Sequence, residues 1–374
     1  MRYLFVHSAR EWSGSARAFA DAARGLAERG HTVGMIVEPE STVERLISQM
    51  MVTPQGSPEG TGIDSRSRVQ LEALPLRGFW LVATARLRSF LKTFRPDVIF
   101  VHTNREHFIV SLACRLGGQG RIVRRVPVGG TLAMGWRGRF ATWFTPTCFM
   151  FSSERDERST PLPRRAAERA VVPFGIDLPD IETIEPTTLG SGREYIVCVH
   201  DDSSRSRAAT AIRTLAMLVP QHPGLRLAIL GEGAYDDDLR MQAAALRVLN
   251  LITFLGERDD ALHVMRNARI GWVVADSDTA TYALLDFMSL GVPVLAGERT
   301  VAEQYVLSKI TGVLLPPDDA HITAATVADL LSNESIRTNM GETARSRVQR
   351  EYPLDAMIDG YEQAALRIAT CRRR

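Results

Sequence analysis

Residues 276–294 read DSDTATYALLDFMSLGVPV. An apolar run, Ile270 to Ala275, comes just before them, and Val292-Pro293-Val294-Leu295 starts another just after Gly291. A strand, a polar loop, a short helix closed by glycine and a second strand is the βαβ pattern of a parallel sheet. The pattern predicts Asp278 in the loop at the carboxyl end of the first strand, where open α/β sheets place their ligands. Asp286 falls late in the helix, where an acidic side chain opposes the macrodipole and needs either solvent or a partner. Spacing alone leaves both open.

The same alternation extends outward in both directions. The chain opens with a strand, Tyr3 to His7, the loop SAREWSGSA, a helix from about Ala16 to Arg29 ended by Gly30, and a strand from His31 to Val37. Gly14 lies at this strand-to-helix loop, as an ordinary turn glycine or as a place where a ligand approaches helix N–H groups. Residues 53–68, TPQGSPEGTGIDSRSR, read as a surface loop. A helix follows from Leu81 to Phe94, bearing Arg86, Arg88 and Lys92, and then a strand from Val98 to His102. Such a basic helix is either a solvated outer face or a membrane-surface element. Further pieces are a helix at Ile109–Leu116 and strands at Arg121–Val126 and Phe149–Ser152. After the acidic connector LPDIETIEPTTLGSG, strands at Tyr195–Val199, Leu225–Leu230 and Ile252–Leu255 alternate with helices up to the opening segment. A strand at Gly312–Leu315 and a helix around Ala324–Leu331 come after it. Two successive doubly wound units account for the chain.

At 374 residues, with 45% hydrophobic and 24% charged residues, the composition is that of a globular protein large enough for two cores. No uninterrupted apolar run approaches transmembrane length, and MRYLFVHSAR lacks the long apolar core of a secretion signal. Cys114, Cys148, Cys198 and Cys371 have no metal-ligand spacing and are expected as reduced thiols, which predicts a cytoplasmic protein without a metal site. The net charge of +2 hides an asymmetry: residues 1–175 carry 25 Lys and Arg against 15 Asp and Glu, the rest 20 against 28. A basic half suits an anionic partner, including peripheral contact with an anionic membrane. Its arginines are dispersed and form no nucleic-acid reader motif, so no nucleic-acid partner is expected.

Motifs in order along nearly the whole chain resemble the GT-B glycosyltransferases, particularly glycosyltransferase family 4. WSGSARAFADAARGLAERGHTV is similar to the opening Gly-rich loop and helix end of that family, RPDVIFVHT to its "PDV" strand, and VVPFGID to its hinge entry. LAILGEG, LITFLGE, SLGVPVLA, AEQYV and TGVLLPPDD follow in the family order. The resemblance implies an α/β, GT-B fold of two Rossmann-like, doubly wound parallel-sheet domains facing across a cleft. Residues 1–175 would form the acceptor-side domain and 176–353 the nucleotide-sugar-binding domain. Residues 354–374 would be a helix packing back on the first.

By the same resemblance, Asp278 and Asp286 stand where the family carries two glutamates, the first on the donor sugar and the second on the ribose hydroxyls. Carboxylates accept from sugar hydroxyls, and a nearby helix start suits a diphosphate. The implied donor-binding set is Gly14, Arg205, Arg207, Gly231, Gly233, Arg258, Thr279, Ala280, Thr281 and Asp286. His102, Arg105 and His107 are candidates for the acceptor side. No cofactor or metal is implied beyond the nucleotide-diphosphate sugar itself. The sequence departs from the family in three ways. Aspartates replace the longer glutamates, Thr279-Ala280-Thr281 replaces glycines, and His200-Asp201 stands where Gly-Arg would neutralise the diphosphate. In addition, Arg125, Gly129 and Gly130 occupy a region where a family histidine is often found. Trp136-Arg137-Gly138-Arg139-Phe140 reads equally as an acceptor wall or as a basic-aromatic membrane contact. The reading is a retaining hexosyltransferase acting on a glycan, lipid or small-molecule acceptor, with three rivals. One is a catalytically impaired homologue serving as a binding or partner subunit; the others, ranked lower, are a GT-B epimerase and a nucleic-acid binder.

Overall fold

The computed structural model describes residues 1–51, 69–117, 119–129, 132, 135–162, 168–179, 181, 183–185, 189, 194–201, 205–231, 237–316 and 318–370, with the side chains of 51, 136, 205 and 206 excluded. The expected loop at 53–68 falls outside this set. The chain divides into two compact units, Met1–Phe174 with Leu354–Arg374, and Gly175–Pro353.

The first unit is built on a seven-stranded parallel sheet of order β3-β2-β1-β4-β5-β6-β7. Its strands are β1 (Arg2–His7), β2 (Thr32–Val37), β3 (Gln70–Ala73), β4 (Val98–Val101), β5 (Arg121–Arg125), β6 (Thr147–Phe151) and β7 (Glu168–Val171). Alternate residues of β1 feed two different cores, as the two-residue period of a strand covered on both faces requires. Tyr3 and Phe5 join Phe19, Met35, Phe100 and Tyr361 on one face. Leu4 and Val6 join Leu87, Leu91, Ile99 and Ile109 on the other. The first face is covered by α1 (Gly14–Glu28) and by α14 (Leu354–Thr370), and the second by α3 (Trp80–Phe94) and α4 (Asn104–Arg115).

The return of α14 to this unit rests on an apolar stripe that includes Met357, Ile358, Tyr361 and Ile368. It also rests on Arg125, a fully buried guanidinium whose carbon lies 3.9 Å from the Phe174 ring centroid and which donates to the Tyr361 hydroxyl at 3.1 Å. At the rim, Arg29 pairs with Asp359 at 2.6 Å and His31 meets Glu362 at 2.9 Å.

The second unit carries a six-stranded parallel sheet of order β10-β9-β8-β11-β12-β13. The strands are β8 (Glu194–Val199), β9 (Leu225–Leu230), β10 (Ile252–Gly256), β11 (Ala268–Val273), β12 (Val294–Gly297) and β13 (Gly312–Leu315). The helices that matter below are α7 (Arg205–Leu218), α10 (Asp278–Ser289) and α13 (Glu334–Glu351). Parts of the expected connector are tied to this unit: Arg266 donates to the Ile181 and Ile184 carbonyls, and Glu185 O meets His263 Nδ1 at 2.6 Å. In both sheets the strand order reverses beside the first strand, between β1 and β4 and between β8 and β11. These are the switch points where an open sheet leaves a crevice at its carboxyl edge.

Candidate functional site

At the switch point of the second unit, β8 ends at Val199, just before His200, and β11 runs into Val274–Ser277. The Val274 amide still pairs with the Val199 carbonyl at 3.1 Å. Ser277, in extended conformation, caps α10 by accepting from the Ala280 amide, so Asp278 is the first residue of the helix and not part of the preceding loop. The physical reason is the serine, which is among the best N-cap residues and claims the position one step earlier. Thr279 is exposed, while Ala280 and Thr281 are buried in the first turn. The Thr281 hydroxyl turns back to the Ser277 carbonyl at 3.1 Å. Both carboxylate residues are buried, Asp278 and Asp286 each 7% exposed. For Asp286 this removes the solvated-face alternative. Eight residues of helix place the two about 12 Å apart along the axis and within about a quarter-turn of each other.

The neighbouring backbone is built for close approach. Gly231, just past β9, has φ of +122°, and a Cβ there would lie 1.9 Å from the His200 carbonyl oxygen. Arg207, in the first turn of α7, donates through Nη1 to the Val274 carbonyl at 2.9 Å and so brings its cation to the carboxyl end of β11. Asp276 fixes the far side by accepting from the Val301 amide at 2.8 Å. Arg258 is engaged elsewhere, in a two-pronged pair with Asp260 at 2.6 and 2.7 Å. That bond to Arg258, outweighing burial, holds the Asp260 carboxyl below its usual value. Asp201 is half-buried, and its carbonyl meets His200 Nδ1 at 3.3 Å. Gly233 and the Arg205 side chain lie outside the described residues.

The carboxyl edge of the first sheet holds a second constellation, at the β1/β4 switch point. Glu106, buried in the first turn of α4, accepts four hydrogen bonds. Its Oε1 takes the Ser8 amide and hydroxyl, each at 2.7 Å, and its Oε2 takes the His102 and Thr103 amides, each at 2.8 Å. Burial pushes this carboxyl up, but His7, His102, the Thr103 amide and the Ser8 hydroxyl outweigh it, and the net direction is down. Glu106 is therefore a fixed anion and not a free base: its lone pairs are already taken. The His7 and His102 rings stack beside it, centroids 6.2 Å apart, and His7 Nε2 lies 3.1 Å from the Ser15 hydroxyl at the start of α1. Gly14 is the first residue of that helix, capped by Ser13, and not a turn glycine.

Of the three acceptor-side candidates, the structure brings only His102 into this cluster. His107 does not line an accessible surface; it is fully buried, with Nε2 3.0 Å from the Thr147 hydroxyl and Nδ1 3.5 Å from Arg124. Burial, and then Arg124, hold it well below its ordinary value, so it is neutral. The helix starts at Asn104, earlier than expected, and its turn directs position 107 toward the sheet. Arg105 instead ties down the preceding connection, donating to the Leu76 carbonyl at 2.9 Å and to the Gly78 carbonyl. His7, Ser15 and Glu106 are missed by the sequence reading. The signal for Glu106 is present all the same, because Thr103-x-x-Glu106 is a capping box at a helix start.

Comparison with known proteins agrees with this geometry. Residues 180–347 match the family described as glycosyl transferases group 1, and residues 12–148 match glycosyltransferase family 4. A glycosyltransferase from Rickettsia africae superposes with a TM-score of 0.79 at 14% identity, covering 99% of each chain. The Anabaena protein HepE, solved with UDP and glucose, superposes with a TM-score of 0.76 at 15% identity, covering 97% of this chain and 98% of its own. The phosphatidyl-myo-inositol mannosyltransferase of Mycolicibacterium smegmatis is 28% identical over 162 residues, 42% of this chain and 41% of that protein. The chain spans about half the length, or less, of the curated relatives it matches. It belongs to the GT-B glycosyltransferases, of the family 4 kind.

Proposed function

We propose that the chain transfers a hexose, with retention of configuration, from a nucleotide-diphosphate sugar to a hydroxyl of a glycan, lipid or small-molecule acceptor. The observation that carries this reading is the buried pair Asp278 and Asp286 on α10, at the switch point of the second sheet. In this reading Asp286 accepts hydrogen bonds from the ribose hydroxyls, and Asp278 accepts them from the donor sugar. The diphosphate lies against the helix start and the backbone at Gly231, and Arg207 supplies a cation to the charge that develops as the diphosphate leaves. The nucleotide and glucose bound to HepE, and the mannosyl transfer named for the mycobacterial relative, support a donor of this class. On the acceptor side the reading takes His102 together with His7 and leaves out His107 and Arg105.

Asp201 is the observation that favours the rival reading, a homologue that binds without turnover, because a carboxylate there repels a diphosphate. Calorimetric titration against UDP, GDP, ADP and their sugars tests both readings. The expected result is binding of one nucleotide, weakened by about 1–3 kcal/mol in Asp286→Ala, the loss of hydrogen bonds to a charged acceptor. An affinity unchanged in Asp286→Ala would refute the ribose role. Silence across the panel from a folded protein would favour the binding or partner subunit.

A further inference from the structure

His200 follows the last residue of β8, and its amide still donates to the Leu230 carbonyl at 3.0 Å, so it extends the ladder by one residue. Ile196 and Cys198 face the core covered by α7. The two-residue period of a strand puts the His200 ring on the same side, beside the start of that helix. The ring is buried, 2% exposed. Its own carbonyl oxygen is the atom that a Cβ on Gly231 would strike, so His200 adjoins the stretch of backbone against which the diphosphate is read to lie.

The neutral ring has a defined polarity. Nδ1 is 3.3 Å from the Asp201 carbonyl oxygen, which can only accept, so Nδ1 carries the hydrogen and Nε2 the lone pair. Burial disfavours a charged ring. The charged side chains that the described residues bring to the ends of β8 and β11 pull in both directions. Arg207 of α7, held at the Val274 carbonyl, opposes a cation at His200. Asp201, next in the chain, favours one, as do Asp276 and Asp278 in the connection into α10. A bound diphosphate adds a dianion to the same crevice, where the low dielectric strengthens its pull on a proton.

We propose that His200 takes up a proton when a nucleotide-diphosphate sugar binds, and that this buried imidazolium is the counter-charge which Asp201 does not supply. The inference rests on the reading of the chain as a nucleotide-sugar transferase. The proton comes from solvent, no bond of the donor breaks as it is taken up, and it returns to solvent when the nucleoside diphosphate departs. Because the ring is buried, its charge acts on the diphosphate through the crevice and not by contact.

Calorimetric titration of the full chain with UDP, GDP and ADP sugars, each in two buffers of different ionisation enthalpy, counts the protons taken up. Both phosphates of a nucleotide sugar are esterified, so the ligand lacks the secondary phosphate ionisation near pH ~6. The expected result is uptake of up to about one proton per bound ligand, with affinity falling by up to about tenfold per unit as pH rises. His200→Gln should abolish the uptake and the pH dependence while the sugar nucleotide still binds. Uptake retained in His200→Gln would overturn the proposal, and its loss in Asp201→Asn would then assign the proton to the carboxylate. Binding without uptake by the wild type would also overturn it and leave the donor reading intact. Silence of the folded protein toward all the sugars would bring down both. Equal thermal unfolding of wild type and variant checks the fold. Where Gln fails to pack at this buried position, ¹³C NMR of the eight histidines in the wild-type chain reads the proton directly. One ring should turn to imidazolium as the ligand is added, and no such change would overturn the proposal.

Discussion

Replacing Glu106 tests the cluster at the β1/β4 switch point most directly. Glu106→Ala removes the acceptor of four hydrogen bonds, three of them from the backbone amides of Ser8, His102 and Thr103. A buried donor stripped of its partner costs about 1–3 kcal/mol. Relief from burying a charge offsets part of this sum, and the net loss expected for breaking such a buried arrangement is about 3–5 kcal/mol. The loss falls where Glu106 joins the ends of β1 and β4. Hydrogen exchange on the full chain should therefore show protection of the Ser8, His102 and Thr103 amides falling by about two to four orders of magnitude, ahead of the second unit. Acid supplies an independent sign. The Glu106 carboxyl is held below its ordinary value of 4.5, so the unfolded chain binds the proton more tightly. The stabilisation is then fully present above that ordinary value and is lost as pH falls through the folded one. Glu106→Gln should be less stable than wild type at neutral pH and should lack this part of the acid loss. Protection at the three amides unchanged in Glu106→Ala, together with an identical acid limb in Glu106→Gln, would refute the view of Glu106 as the fixed anion of the site.

Gly231→Ala should destabilise the second unit by more than about 2 kcal/mol in urea denaturation, because it combines a left-handed backbone with a Cβ 1.9 Å from a carbonyl oxygen. A loss below 1 kcal/mol, on the order of an ordinary surface change, would show that the chain relaxes there. Burial pushes the Cys148 and Cys198 thiols up to about 12, and the thiolate is the reactive form. Thiol labelling of the native protein at pH 8, read by peptide mass, should modify the half-exposed Cys114 and spare both; rapid labelling of Cys198 would show that its strand opens. If Asp201 repels the leaving diphosphate, Asp201→Arg should tighten nucleoside diphosphate binding, and no gain would place the phosphates elsewhere.

The parallel sheets were legible because their strands are short apolar runs bounded by Gly, Pro and polar loops, and because helices of the right length lie between them. Boundaries went astray where a cap decides them. Ser277 drew Asp278 into α10, and Thr103 with Glu106 started α4 five residues earlier than apolar periodicity implied. The shift at α4 changed which side chains face the sheet, and with it the reading of His107. The constellation around Glu106 was hidden for a different reason. It joins Ser8 to a residue 98 positions away, a relation set by the strand order and not by any local spacing. Arg125 was equally opaque: an arginine is expected at the surface, and only the docking of α14 explains a guanidinium stacked on Phe174 in the core.

Asp286 shows how far such a reading can be carried once burial is known. Sequence left two environments open for an acid late in a helix, and solvent is now excluded. A carboxylate in that position opposes the helix dipole, and burial adds a desolvation cost that a hydrogen-bonding or charged partner has to offset. On the same helix the buried positions other than Asp278 and Asp286 are filled by Ala, Leu, Phe, Met, Tyr and small hydroxyl side chains, which pack without such a cost. If the carboxylate's role is to accept hydrogen bonds from a polyhydroxyl ligand, Asp286→Leu should abolish nucleotide binding while leaving the unfolding midpoint close to that of wild type. A core acid with a purely structural role would instead lose stability on the same substitution.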